Sequence, residues 1–291
     1  MHPLAFYILD VFAEQKYAGN QLAVFRRAAG LTHDEMQRIA REMHFSETTF
    51  ILADEPRGGG YDVRIFTPAE EVPFAGHPTL GTGHIIRNEI LGGKAEEVVL
   101  NLQVGPITTT FAADGYCWMK QIEPTFGIQH PPQALAAVLG LGPADIDERY
   151  PVEEVSTGLP FFIVPVKTLA ALKKARIDHD RHDLLISSAE SKGILVFCPE
   201  THASENDLSV RVFVEYYGVP EDPATGSANG CLAAYLAKHK YVGRREIDLR
   251  VEQGQEIGRP SLLRLRAKQT DAHIEVSVGG RSVLVARGEF I

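Results

Sequence analysis

The sequence predicts an α+β fold of two similar halves, each a sheet wrapped around one central helix. Three observations carry this expectation. The chain has 291 residues, more than a single average core holds comfortably. Its apolar runs are mostly short and separated by turn residues, the pattern of antiparallel strands rather than of a helical bundle. One series of parts also occurs twice. Arg64-Ile65-Phe66 leads through Val72-Pro73 into Gly76-His77-Pro78 and a helix, and Arg211-Val212-Phe213 leads through Val219-Pro220 into Gly226-Ser227-Ala228 and a helix.

In the first half, Phe6 to Phe12 is an apolar run bounded by polar residues, hence a strand, and Gly19-Asn20 is turn chemistry before a second strand at Gln21 to Phe25. Thr32 to Glu35 forms a capping box, and Met36, Ile39, Ala40 and Met43 recur at helical spacing, so a helix begins there and ends near His44. The β-branched run Thr48 to Leu52 is a strand, which puts Ser46 and Glu47 at a helix-to-strand junction. Gly58 to Gly60 is a hairpin loop, and Tyr61 to Phe66 alternates as a strand. The helix at Pro78 to Leu91 has glycines at 81 and 83, which with Gly76 let neighbours approach closely. Val98 to Leu102, Gly105 to Phe111 and Cys117 to Ile122 form an antiparallel meander.

The chain begins again after Pro124, so the linker is expected there. Gln133 to Leu139 and Leu169 to Ala175 are helical. Val152 to Val155, Phe161 to Val166, Gly193 to Cys198 and Ser209 to Tyr216 are strands. The polar stretch DHDRHD reads as an exposed loop carrying His179 and His182. Ser227 to His239 is rich in Ala and Leu, and a helix so apolar is expected to be buried nearly all round. The tail from Ile247 to Phe290 returns to strands.

Composition excludes several classes of function. No apolar run reaches the eighteen or so residues of a membrane span, and the start reads as a strand rather than a signal peptide. The balance of 29 Lys+Arg against 38 Asp+Glu, net −9, lacks the basic face that nucleic acid demands. Cys117, Cys198 and Cys231 have no CxxC spacing. They suggest neither a disulfide framework nor a zinc site, and the cytoplasm is the expected compartment. The 11 histidines include no HxxxH or HExxH pair, so no metal is expected. Gly81-Thr82-Gly83 lacks the third glycine of a dinucleotide fingerprint, there is no P-loop, and GSANG is not G-x-S-x-G. No lysine stands out as a Schiff-base anchor. Proton transfer without a cofactor remains.

The two helix starts carry that chemistry. A helix N-terminus offers free N–H groups and about half a positive charge, so it holds an anion without Lys or Arg. Two such starts suit a small acidic substrate. Glu47, flanked by Phe45 and Phe50, is the candidate proton carrier, because an apolar pocket raises a carboxyl's pKa toward neutrality. His77 is a second acid/base or a donor to substrate, kept neutral by the helix dipole. Asp222, in a tight loop, orients an imidazole or grips a substrate amine or hydroxyl. Glu70, Glu71 and Glu221 are expected to stay solvated.

The stretches GNQLAVF, IAREMHFSETTFI, RIFTPAEEVPFAGHPTLGTGH, VPEDPATGSANG and EQGQEIGRPS resemble those of the PhzF-like phenazine-biosynthesis family, in the same order along nearly the whole chain. The resemblance implies the diaminopimelate-epimerase-like fold: two domains, each a mixed, mostly antiparallel half-barrel around a central helix, with the active site between them. It implies that the last strand returns to the first domain, which gives residues 1–118 plus 278–291 and residues 119–277. Homodimers are implied as well. By position, Glu47 matches the catalytic glutamate, with Ser46 beside it, and His77 the histidine of GHP. Asp222 and Ser227 match the EDPATGS residues that hold substrate and assist proton movement. Gly76 and Gly226 match the glycines whose backbone meets the ligand. The activity implied is isomerisation of trans-2,3-dihydro-3-hydroxyanthranilate or a similar small carboxylate, without metal or cofactor.

Epimerases of this fold use two thiols, one at each helix start. Here those places hold His77 and Ser227, while Cys231 lies one turn inside its helix. Inverting a centre needs two bases, whereas a shift along a conjugated system can use one carboxyl, which fits Glu47. Two other functions compete: a serine-type hydrolase using Ser227, His77 and Asp222, and a non-catalytic metabolite-binding protein.

Overall fold

Strands dominate the α+β structure, a computed structural model that describes residues 3–291. These residues fall into two units. The first runs to Met119 and takes up Gly279–Ile291, and the second is Lys120–Val278.

In the first unit, β1 (Leu4–Val11) pairs antiparallel with β2 (Asn20–Arg26). The capping box forms as read: Thr32 N–H donates to the Glu35 carboxylate at 2.8 Å and Glu35 N–H to the Thr32 hydroxyl at 3.3 Å. It starts α1 (His33–Met43), which ends at His44 in the left-handed region. Then β3 (Glu47–Ile51) runs parallel to β2 and antiparallel to β4 (Tyr61–Phe66), on which the two-residue β5 (Glu71–Val72) folds back. After α2 (Gly76–Ile85), β6 (Glu97–Leu102), β7 (Gly105–Phe111) and β8 (Cys117–Lys120) form the meander.

In the second unit, β9 (Thr125–His130) and α3 (Pro132–Val138) precede β10 (Val152–Ser156) and β11 (Pro160–Pro165). The outer helices α4 (Leu169–Lys174) and α5 (His179–Ser188) follow, then β12 (Gly193–Cys198), β13 (Leu208–Val214) and β14 (Val219–Asp222). Next come α6 (Gly226–Lys238), β15 (Glu246–Gln253), β16 (Ser261–Gln269) and β17 (Ile274–Gly280). The last strand, β18 (Ser282–Phe290), belongs to the first unit and runs antiparallel along its β1.

Each unit wraps its sheet around one helix buried almost all round, α2 or α6. Small residues allow this. A Cβ at Gly81 would meet Leu22 and Val11, and one at Gly83 would meet Thr109. Outer helices cover the opposite sheet faces. Phe25, Phe50 and Phe66 pack with Met36 and Ala40 of α1, and Phe162, Val164, Ile194 and Val196 pack with Leu135, Leu172 and Ile186 of α3, α4 and α5. The far end of α6 is tied to β10, where Glu153 accepts from Lys238 at 2.7 Å and from His239 at 2.8 Å.

The repeated parts coincide in register. Phe50 stands opposite Arg64 and Val196 opposite Arg211. Ile65 pairs with Val72, and Val212 with Asp222. In both copies the arginine grips a glutamate with two nitrogens: Arg64 to Glu71 at 2.8 and 2.6 Å, Arg211 to Glu221 at 2.9 and 2.7 Å. Each also lies over a phenylalanine, Phe66 or Phe213. The expectation of solvated Glu71 and Glu221 is therefore corrected. An arginine on the neighbouring strand draws each inward, while Glu70 stays exposed.

Other local readings change as well. DHDRHD opens α5, because the Asp178 side chain caps it by accepting from Arg181 N–H. His182 is then buried, with Nε2 3.2 Å from the Lys192 carbonyl, and only His179 stays exposed. Asp222 ends β14 rather than lying in a loop. The strand from Cys117 stops at Lys120, and β5, β9 and β14 were not foreseen.

Candidate active site

Glu47 is the first residue of β3, and side chains alternate along a strand. Thr49 points to α2, where its hydroxyl meets that of Thr82 at 2.7 Å. Glu47 shares that face, and its Oε2 lies 3.5 Å from Nε2 of His77. The expected apolar flank is corrected: Phe45 and Phe50 belong to the cluster on the α1 side. What Glu47 meets is an imidazole, itself almost fully buried. Ser46 precedes it, half-buried.

His77 is the second residue of α2. Burial pushes its pKa down to about 3, against a smaller upward pull from a backbone hydrogen bond with Gln21. Desolvation keeps the ring neutral. Nε2 has no hydrogen-bond partner among the described residues, so the Gln21 bond falls to Nδ1. A neutral ring that donates from Nδ1 presents a lone pair at Nε2, which accepts a proton from a carboxylic acid.

In the second unit, Asp222 is buried at the end of β14, and its Oδ2 takes the Thr225 hydroxyl proton at 2.5 Å. Gly226 and Ser227 follow at the start of α6. Neither central helix carries a side-chain cap, whereas Thr32, Thr168 and Asp178 cap α1, α4 and α5. Both central helices begin with glycine and a small polar or imidazole residue, leaving first-turn N–H groups to other acceptors. Thus Ser46, Glu47, Gly76 and His77 belong to one unit and Asp222, Gly226 and Ser227 to the other. Thr225 was not singled out from the sequence, although EDPATGS contains it.

Register shows where the copies differ. Glu47 stands opposite Leu22, and Gly193 opposite Phe161. The equivalent of Glu47 is therefore Gly193, just as that of Asp222 is Val72 and that of His77 is Ser227. The thiols stand apart from this chemistry. All three are buried, and burial raises Cys117 and Cys198 to about 12 and Cys231 to about 11. Among the described residues, no group of three or more His, Cys, Asp or Glu is placed to hold a metal ion, and no helix is long and apolar enough to cross a membrane.

The phenazine biosynthesis-like family, PhzC-PhzF, matches residues 9–288. The trans-2,3-dihydro-3-hydroxyanthranilate isomerase of Pseudomonas aeruginosa is 35% identical over 294 residues, 97% of this chain and 98% of its own. A PhzF-family phenazine biosynthesis protein of Bacillus anthracis, known from its crystal structure, is 28% identical and covers 100% of both chains with a TM-score of 0.90. A hydroxyproline epimerase of Agrobacterium vitis shares the fold at 8% identity, with a TM-score of 0.61 over 100% of this chain and 91% of its own.

Proposed function

The chain belongs to the phenazine biosynthesis-like family and is an isomerase of that type, and on this premise we propose that it moves a proton on a small carboxylate metabolite, without a cofactor, with Glu47 as general acid/base. The substrate class is trans-2,3-dihydro-3-hydroxyanthranilate and its close analogues, after the compound in the Pseudomonas relative's name. The observation that carries the reading is the 3.5 Å approach of Glu47 to a buried His77, at a register position where the other copy has glycine. One carboxyl, rather than a matched pair of bases, suits a shift along a conjugated system.

In this reading the Glu47 carboxylate removes a proton from one carbon, and the electron pair spreads through the π-system. The same carboxyl then returns the proton to a carbon further along, so nothing is oxidised or reduced. His77 offers its Nε2 lone pair to the protonated carboxyl and holds it in place between the two transfers. Asp222 and Ser227 hold the substrate's polar groups, with Ser46 beside the base, and the backbone at Gly76 and Gly226 meets its carboxylate. The working unit is taken to be a homodimer.

The test is turnover of trans-2,3-dihydro-3-hydroxyanthranilate in heavy water, followed by NMR. Conversion of the substrate is expected for the wild type and not for Glu47→Gln, with deuterium at the receiving carbon only to the extent that the Glu47 carboxyl exchanges with solvent between the two transfers. No turnover, or full turnover by the variant, overturns the reading.

A further inference from the structure

The EQGQEIGRPS stretch, which the proton shift leaves without a part, packs on the segment that carries Asp222. Gln253 ends β15, is fully buried, and uses all four hydrogen-bonding positions of its amide. Its Oε1 accepts from the Thr225 backbone N–H at 3.2 Å and from Asn229 Nδ2 at 2.8 Å. Its Nε2 donates to the Asp222 carbonyl at 2.7 Å and to the Thr225 hydroxyl oxygen at 3.0 Å.

Because Thr225 Oγ1 accepts from Gln253, its own proton is free to point the other way, and it goes to the Asp222 carboxylate at 2.5 Å. A directed row of donors runs from amide to hydroxyl to carboxylate. The next residue braces the same segment. Gly254 sits at φ +82, and a Cβ there would stand 2.6 Å from the Pro223 carbonyl oxygen and 2.3 Å from that of Arg259. Thus β14, the turn at Pro223 and the first turn of α6 are held by one amide and one glycine.

We propose that Gln253, acting through Thr225, is a positioning residue for the isomerisation. It sets the rotamer of the Asp222 carboxylate and the aim of the first turn of α6. This rests on Asp222 touching the substrate, as read above. Neither Gln253 nor Thr225 exchanges a proton with the substrate. Their effect is on geometry, and a displacement of about 1 Å in a reacting group costs about 100-fold in rate.

Three variants separate positioning from simple stability. Thr225→Val is nearly isosteric and lacks the hydroxyl, Thr225→Ser restores it, and Gln253→Glu keeps the acceptor but deletes both donors. With trans-2,3-dihydro-3-hydroxyanthranilate, T225V and Q253E are expected to lose about 100-fold in kcat, with KM changed less than about threefold. T225S should stay within about threefold of wild type in both. Equal kcat values for T225V and T225S overturn the proposal, whatever their melting temperatures.

Failure of the wild type to turn over this compound counts against the substrate reading alone. Crystal structures of the same variants then decide the matter without a substrate. Rotation of the Asp222 carboxylate in T225V but not in T225S supports positioning, and an unmoved Asp222 in T225V overturns it.

Discussion

Glu47 and Gly193 occupy the same register position in two copies of one strand pattern, beside Leu22 in one and Phe161 in the other. The two copies share the scaffold, but only the first carries a carboxyl at this position. The second copy has no room for a side chain there, since a Cβ at Gly193 would stand 2.6 Å from the Phe161 ring. Asp222 breaks the symmetry in the other direction, opposite a valine. A pair of helices built alike is thereby given unlike chemistry at its ends.

Glu47→Gln keeps the size and shape of the side chain and removes its acid/base function. Turnover is expected to fall by about 10²–10⁴, with the melting temperature near that of wild type and carboxylate binding retained by calorimetry. Steady-state kinetics beside a melting curve checks both halves.

His77 gives the fold an acid limb. In the folded chain its pKa is near 3, against an ordinary value of 6.5. Between those values the unfolded chain binds a proton that the folded chain refuses, so stability is complete above about pH 6.5 and falls as pH drops toward 3. The slope reaches at most about 1.4 kcal/mol per pH unit. His84, pushed down to about 4 by burial, adds to the same limb. Urea midpoints at pH 7 and pH 5 should draw closer together in His77→Gln than in wild type, and an unchanged gap would contradict this assignment.

Arg211 binds Glu221 and also donates to the carbonyls of Leu172, Lys173 and Ala175 at the end of α4. Arg211→Met leaves the half-buried Glu221 without its cation, at a cost of about 3–5 kcal/mol. Arg64→Met should cost less. Side-chain exposure of Arg64 is 27%, against 9% for Arg211, so water replaces more of what is lost. Denaturant unfolding of the two variants gives the order.

The buried thiols should be slow. With all three pKa values raised to 11 or above, few thiolates exist near neutrality. Iodoacetamide at pH 8 is expected to label the folded protein far more slowly than the urea-unfolded chain, by mass spectrometry. Cys231→Ala should keep wild-type turnover, whereas a thiol-based mechanism would lose it.

Much of the fold was legible locally. The capping box at Thr32, the strands Tyr61–Phe66 and Gly193–Cys198, and the buried helix from Gly226 follow from side-chain pattern and backbone preference. The errors lie where partners are distant in sequence. Glu71 and Glu221 looked like ordinary surface acids, because nothing near them shows that an arginine seven or ten residues earlier is on the adjoining strand. His182 looked exposed in a polar run, yet it turns inward once Asp178 starts a helix.

Sequence alone determined the twofold repetition of parts, the family resemblance and the identity of the candidate acid/base, because composition, periodicity and motif order are properties of the chain. Only the tertiary structure decided which face of β3 Glu47 shares, which imidazole it meets, and which amide holds the Asp222 segment. Strand pairing and helix packing bring together residues 30 or so positions apart, and side-chain alternation then selects who meets whom.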